Sequence, residues 1–287
     1  MNSLSNITTI KEILGRHGFH FSKALGQNFL INPTVCPRMA EECGAESGSG
    51  VLEVGPGIGV LTRELAERAG KVVSVELDKR LLPVLDETLA EYDNVTVING
   101  DILKLDLRDL LSREFAGMSV SVCANLPYYI TSPVIMRLLE ERLDITSLTV
   151  MVQKEAARRI CAVPGTRECG AVSVAVHYHA EPEILFEVSR GSFMPAPNVD
   201  SSVIRLTLRK QPAVQLEDEV KFFSAVKAAF GQRRKTMLNS VSAGLGMQKE
   251  LVGQALDNAG LDRRVRAEQL SMEDFARFSN HLFSKKE

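Results

Sequence analysis

The 287-residue sequence contains no window of 18 apolar residues without charge, so no membrane span is expected. Its first stretch, MNSLSNITTIKEILGRHG, lacks a basic segment followed by an apolar core, so no secretory signal is expected. The five cysteines, at 36, 43, 123, 161 and 169, form no C-x-x-C pair. Their odd number and scattered spacing argue against a disulfide framework or a zinc site and for free thiols in a reducing compartment, the cytoplasm. His17, His20, His177 and His179 have no metal-ligand company, and no metal is expected. There is no internal repeat, no low-complexity tract and no G-K-[ST] after a glycine turn, which argues against a triphosphate site. An excess of positive charge is also missing: the net charge is −2, at first sight unpromising for a nucleic-acid binder.

The distribution of charge says more. Residues 1–204 hold 19 Lys/Arg against 26 Asp/Glu (−7), and residues 205–287 hold 15 against 10 (+5). A basic end on an acidic body is expected where one end meets an anionic partner, although an unevenly solvated surface gives the same totals. With 45% apolar and 24% charged residues, the composition is that of an ordinary globular protein, and its length suits about two domains.

From residue 51 onward, short apolar runs alternate with helical patterns. VLEV (51–54), VVSVE (72–76), VTVIN (95–99), SVSVCAN (119–125) and LTVMV (148–152) read as strands, most of them followed by a helix-like stretch. This alternation predicts an α/β fold, a mostly parallel sheet with helices on both faces. ILFEV (184–188) and SVIRLTLR (202–209) predict an antiparallel end to that sheet. CGAVSVAVHYHAE (169–181) fits strand alternation and a helical face equally well. The tract RKQPAVQLEDE breaks the pattern and places a domain boundary near 210–215, giving domains 1–210 and 211–287. The second reads as helices: Phe222, Phe223, Val226 and Phe230 share a face, and Ser271 with Asp274 forms a capping box before FARFSNHLF. At about 75 residues it is small for an independent core, so it is expected to lean on the first domain.

VLEVGPGIGVLT (51–62) puts Gly55, Gly57 and Gly59 between a strand and a helix, the usual nucleotide-binding crevice. The spacing departs from the dinucleotide fingerprint, and Glu53 reads as a structural residue polarising the turn. Glu76 ends the next strand, where a carboxylate suits a ribose diol; a helix-capping role is the plainer reading, with Asp78 nearby. Asp101, in Asn99-Gly100-Asp101, suits an adenine amino group, and a simple turn residue is the plainer reading. Three successive strand ends carrying Gly55, Glu76 and Asp101 favour a ligand site, because ligands in such sheets bind at the carboxyl ends of strands.

The fourth strand ends in ANLPYYITSPVI (124–135). Together with KALGQNFLIN (23–32), VLEVGPGIGVLT, VELDKRL (75–81), NGDIL (99–103), MVQKEAARRI (151–160), SFMPAPNVDSSVIRL (192–206), FGQRRKTMLNSV (230–241) and RAEQLSMEDF (266–275), it covers the chain nearly end to end. In these motifs the sequence resembles the S-adenosylmethionine-dependent rRNA adenine N6-dimethyltransferases, more narrowly the bacterial small-subunit (16S) KsgA/RsmA type. The resemblance implies a Rossmann-like methyltransferase domain with an N-terminal cofactor-capping segment, a small helical RNA-binding domain and a helix over 170–179. It also implies that Gly55 lies against the methionine part of S-adenosylmethionine, Glu76 holds the ribose, Asp101 meets the adenine amine, and Asn28 and Leu30 add contacts. Asn125 would lie between cofactor and target base. The substrate implied is a pair of adjacent adenosines in the 3′-terminal hairpin of small-subunit rRNA within the immature subunit. A monomer is expected.

The chemistry accounts for these residue types. The N6 lone pair of adenine is delocalised into its ring, whereas the sulfonium methyl is already activated, so alignment matters more than a strong base. The Asn125 side-chain oxygen and the Leu126 carbonyl suit the two N6 hydrogens, and Pro127 stiffens the turn that presents them. Tyr128 suits stacking on the extruded base and Phe193 covering it from another side. Stacking contributes roughly 1–3 kcal/mol per base. Tyr129 reads as core packing or a lid, and Cys123 as a small strand residue. Arg233, Arg234 and Lys235, in FGQRRKT, are candidates for RNA phosphates, with Lys23, Arg158 and Arg159 as weaker ones. The alternatives are a large-subunit rRNA methyltransferase of the antibiotic-resistance type and an assembly checkpoint on the immature subunit. An NAD oxidoreductase is less consistent with the sequence, which shows no His/Lys/Tyr constellation for it.

Overall fold

The computed structural model describes residues 4–20 and 27–284, and Lys23 lies outside them. The chain divides into two compact units, Met1–Ala157 with Glu183–Leu208, and Arg158–Pro182 with Arg209–Glu287. The last of the three crossings, after Leu208, falls within a few residues of the boundary read from composition. The segment 158–182, assigned by sequence to the first domain, groups with the second.

The first unit is built on a seven-stranded sheet. Its strands are β2 (Gly50–Val54), β3 (Lys71–Glu76), β4 (Val95–Asn99), β5 (Val120–Asn125), β6 (Ser147–Gln153), β7 (Ala180–Val188) and β9 (Ser201–Leu208), in the spatial order β4-β3-β2-β5-β6-β9-β7. β4 to β6 are parallel, and β9 is antiparallel to β6, as the strand pattern predicts. The central strands GVLEV, KVVSVE and VSVCAN are rich in valine and buried on both faces, as parallel strands under two helical layers must be. Among the five parallel strands β4 is the outermost and the only one with no buried residue. On one face, α2 (Val35–Glu42) and α3 (Val60–Ala66) bring Met39 and Leu65 into an apolar cluster with Val51, Val72, Cys123, Met151 and Val203.

The order of strands sets the position of the site. The chain runs outward through β2, β3 and β4, then returns to lay β5 on the other side of β2, so the sheet switches direction between β2 and β5. The register aligns the ends: Val54 pairs with Val75 and with Ala124, Glu76 with Asn99, and Asn125 with Met151. The carboxyl ends of four strands therefore share one edge, where crevices form in open α/β sheets. A short ladder completes that edge. β1 (Phe29–Leu30) pairs antiparallel with β8 (Phe193–Met194), matching Phe29 with Met194 and Leu30 with Phe193.

The second unit is helical. The ambiguous 169–181 segment forms the helix α8 (Ala171–His179) that the family resemblance implies. Ser173 starts it, accepting from the Gly170 N–H (2.9 Å) and donating to the Arg159 carbonyl (2.5 Å). Its valines tolerate a helix because Val174, Val176 and Tyr178 are all buried. Cys169, Val174 and Tyr178 join Phe222, Val226, Met237, Val241, Leu256, Phe275 and Phe278 in one core, so residues 158–182 enlarge a core that the C-terminal stretch alone would leave small. The other helices are α9 (Glu219–Phe230), α10 (Met237–Leu245), α11 (Lys249–Asn258) and α12 (Met272–Phe283). The predicted capping box opens α12: Ser271 Oγ accepts from the Asp274 N–H (3.1 Å) and the Asp274 carboxylate from the Ser271 N–H (3.0 Å).

Candidate active site at the carboxyl ends of the parallel strands

One cleft gathers the residues singled out in the first unit. Asn28, Leu30, Gly55, Glu76, Asp101, Asn125, Leu126, Tyr128 and Phe193 all line it, and it encloses about 1130 Å³, its open mouth included. Gly55 and Asn125 follow and end the two strands that flank the switch point.

The glycine turn requires glycine. Gly55, Gly57 and Gly59 have φ of +72°, +60° and +87°, in the left-handed region that side chains disfavour. A Cβ at Gly55 meets nothing within 4 Å, so the turn is open there. At Gly57 a Cβ would come within 3.2 Å of the Phe29 ring, which lays the upstream NFL segment against the turn.

The carboxylates are held by the backbone. Glu76 is 6% exposed; its Oε1 accepts from the Asp78 N–H (2.7 Å) and its Oε2 from the Gly57 N–H (3.3 Å). Burial raises its pKa, and those two N–H groups pull it back. The capping role belongs to Asp78, which accepts from the Arg80 N–H (3.1 Å) and whose carboxyl is held low, chiefly by its bond to the Arg80 side chain. Asp101 is a turn residue that also lines the cleft: its Oδ1 accepts from the Leu103 N–H (3.0 Å), and Lys104 lies 3.4 Å from its Oδ2. From α6 (Thr131–Glu140), Arg137 braces the loop beyond it, donating to the carbonyls of Ile102 and Leu105, each at 2.6 Å.

Glu53 differs from its sequence reading. It does not polarise the glycine turn: its Oε2 accepts from Ser74 (2.6 Å) and Thr62 (2.7 Å), tying β3 to α3. It is 1% exposed, and its other oxygen has no partner among the described residues. Burial pushes its carboxyl up to about 7 against the pull of the two hydroxyls.

At the end of β5 the polar groups are left open. Among the described residues, neither the Asn125 side chain nor the Leu126 carbonyl has a hydrogen-bond partner, although the Leu126 N–H donates to the Met151 carbonyl (3.3 Å). The Leu126 side chain is buried and anchors the turn. Tyr128 is half-buried, its hydroxyl 2.8 Å from Ser201 Oγ, and burial raises its pKa. Phe193 is 4% exposed and packs in the cluster with Cys36 and Met39 as well as lining the cleft. Tyr129 is 54% exposed at the cleft, so core packing is not its role. Cys123 is a fully buried strand residue, and all five cysteines are free.

Leu77 and Ile102 also line the cleft and were not singled out from the sequence. Each directly follows a strand-end acid, and that repeated acid–apolar pair is the signal that marks them. In the second unit, Arg233, Arg234 and Lys235 stand exposed in the turn between α9 and α10, with no ion pair among the described residues. Among those residues no group of three or more His, Cys, Asp or Glu could hold a metal, and no helix is long and apolar enough to cross a membrane.

The residues present fit a nucleoside-bearing ligand. They offer an open glycine turn, acceptors at two neighbouring strand ends, and apolar Leu77 and Ile102 beside those acceptors. Sheet order and strand-end cleft together define a Rossmann-like methyltransferase. The model of the ribosomal RNA adenine dimethylase family matches residues 18–283, and the chain belongs to that family. It is 49% identical over 286 residues to the ribosomal RNA small subunit methyltransferase A of Bacillus thuringiensis (strain Al Hakam), covering 98% of each chain. It is 48% identical to the protein of the same name from Bacillus mycoides (strain KBAB4), over 100% of this chain and 99% of that one. Among solved structures, the 23S rRNA methyltransferase ErmE matches with a TM-score of 0.67 and 30% identity, over 90% of this chain and all of that one. A dimethyladenosine transferase from Plasmodium falciparum shares the fold, with a TM-score of 0.72 at 24% identity over 87% of this chain and 95% of that one.

Proposed function

We propose that the protein transfers methyl groups from S-adenosylmethionine to N6 of two adjacent adenosines in the 3′-terminal hairpin of small-subunit rRNA. It would act in the cytoplasm, as a monomer, on the immature subunit. The observation that carries this reading is the open acceptor pair at the end of β5: an amide side chain and a carbonyl, one residue apart, with no donor among the described residues.

Gly55, Glu76 and Asp101, with Asn28 and Leu30 from the upstream segment, hold the cofactor. When bound, S-adenosylmethionine supplies an activated methyl group on sulfur. Asn125 Oδ1 and the Leu126 carbonyl accept the two N6 hydrogens, localise the nitrogen lone pair against its delocalisation into the ring and fix its direction. Alignment of this kind replaces a strong base. Tyr128 stacks on the extruded adenine, and Phe193 closes the pocket behind it. Each transfer leaves the nitrogen cationic until it gives up one proton to solvent; after the first a single N–H remains, so one of the two acceptors is left without a hydrogen before the second. Arg233, Arg234 and Lys235 supply phosphate contacts that carry no base preference.

Two relatives of nearly equal length, at 48–49% identity, bear a small-subunit name, which supports that substrate over the large-subunit one. The likeness to ErmE at 30% identity keeps the latter as the second reading. The test is to incubate the protein with labelled cofactor and immature small or large subunits, then digest the RNA to nucleosides. Labelled dimethyladenosine from small-subunit RNA is expected. Label confined to large-subunit RNA favours the second reading, and tight binding without transfer would mean that the protein acts on the subunit without methylating it.

A further inference from the structure

The loop after β5 carries the ring assigned to stacking, but little in its backbone holds that ring. Among the described residues, the contact of its hydroxyl with Ser201 Oγ at 2.8 Å is the one hydrogen bond of Tyr128. Ser201 is a different kind of residue. It is 0% exposed and opens β9, where it pairs with Gln153 of β6. Just before it, the Asp200 carbonyl accepts from the Lys154 N–H (3.0 Å), and the Asp200 carboxylate accepts from the Arg190 N–H (2.9 Å). Arg190 begins the turn Arg190–Ser192 that leads into Phe193. The start of β9 is thus fixed to the sheet and to the approach of one cleft aromatic, and it holds the far end of the other.

We infer that Ser201 is a positioning residue for methyl transfer, acting through the hydroxyl of Tyr128. The inference rests on the function proposed above. A tyrosine side chain turns about two bonds; anchoring its hydroxyl oxygen fixes the first torsion and hence the direction of the ring axis, and because the phenolic O–H lies in the plane of the ring, a bond made through it also disfavours rotation about the second. Without the anchor the ring still covers apolar surface and still stacks, but it visits other orientations. The base then loses alignment with the Asn125–Leu126 acceptors while keeping most of its binding energy. A loss of this kind falls on kcat and leaves KM nearly unchanged.

The experiment compares the wild type with Ser201→Ala, Tyr128→Phe, the double variant and Ser201→Thr. Transfer to small subunits lacking the modification is followed by nucleoside mass spectrometry, with cofactor affinity measured by calorimetry. Ser201→Ala and Tyr128→Phe should each lower kcat by about threefold to tenfold, the range set by one hydrogen bond, with KM for subunits and cofactor Kd within about twofold of wild type. The double variant should be no slower than either single one, because both remove the same contact. Ser201→Thr, which keeps the hydroxyl, should recover most of the rate. A Ser201→Ala protein with wild-type kcat overturns the inference, as does a double variant whose loss is the product of the two. So does a loss that follows a lowered melting temperature and is not recovered by Ser201→Thr. Each of these leaves the proposed function standing, because the wild type still labels small-subunit RNA; a wild type that labels none overturns both.

Discussion

The cleft of the first unit and the cationic turn of the second treat polar groups in opposite ways. In the cleft, Glu76 is buried and already bonded to two backbone N–H groups, and Glu53 behind it to two hydroxyls. Against that fixed frame, the Asn125 amide and the Leu126 carbonyl stand open. In the turn, Arg233, Arg234 and Lys235 face solvent with no counter-charge among the described residues. A fixed frame supplies direction, and exposed surface cations supply charge without direction. Substitutions in the cleft should therefore alter rates with an unchanged response to salt, and substitutions in the turn should do the reverse.

The largest effect is expected at Asn125. Its side chain has no hydrogen bond to lose among the described residues, so Asn125→Ala should fold and bind S-adenosylmethionine much as wild type does. Transfer should slow by about 10²–10³-fold, the scale of removing one oriented polar partner from a reacting centre. Single-turnover kinetics with saturating cofactor measure this, and near-normal turnover would remove Asn125 from the chemistry.

The next effect concerns stability. Burial raises the Glu53 carboxyl from its ordinary 4.5 to about 7 in the folded protein. The folded state then holds the proton more tightly than the unfolded chain does. Stability from this group is fully present below about pH 4.5 and is lost as pH rises to about 7, by about 3 kcal/mol in all. Glu53→Gln keeps an acceptor for Ser74 and Thr62 and cannot ionise. Urea unfolding of the two proteins at a series of pH values should show a flatter curve for Glu53→Gln between pH 4.5 and 7. Parallel curves would contradict the raised pKa.

The turn provides the converse case. Replacing Arg233, Arg234 and Lys235 together by alanine should weaken subunit binding by about tenfold at physiological salt and reduce the slope of log affinity against log salt by about 2–3. Cofactor affinity should not change. A salt slope equal to wild type would place the RNA contacts elsewhere.

Much of this was legible in the sequence because it rests on local order. The strands, the glycine turn and the strand-end acids are consecutive in the chain, and parallel pairing brings their ends to one edge. What depends on distant partners was not legible. Glu53 looked like part of its own turn, but its partners, Thr62 and Ser74, lie 9 and 21 residues away. Ser201 is 73 residues from Tyr128. The placement of residues 158–182 depends on Tyr178 finding Phe222 and Phe223, with ring centroids 5.8 and 5.3 Å apart. Tyr129 shows the opposite limit: two neighbouring tyrosines look alike in sequence, and burial distinguishes them.

The smallest effect tests how far the fixed frame extends. Arg137 touches no group assigned to the chemistry, yet its two donations to the Ile102 and Leu105 carbonyls secure the loop on which Asp101 and Ile102 are presented. If the cleft works by fixed direction, loosening that loop must weaken ligand binding although no lining side chain has changed. Arg137→Ala should lower cofactor affinity by about fivefold, since it removes the two partly solvated hydrogen bonds to the loop, along with an ion pair to Glu141 that does not touch the loop, and should leave the salt slope of subunit binding as it was. Lysine at 137 should recover little, because a single ammonium on a flexible stem does not reproduce the planar fork that meets both carbonyls. Unchanged affinity on calorimetry would show that the loop holds its shape without the arginine, and the contrast between the two units would then narrow to the strand ends themselves.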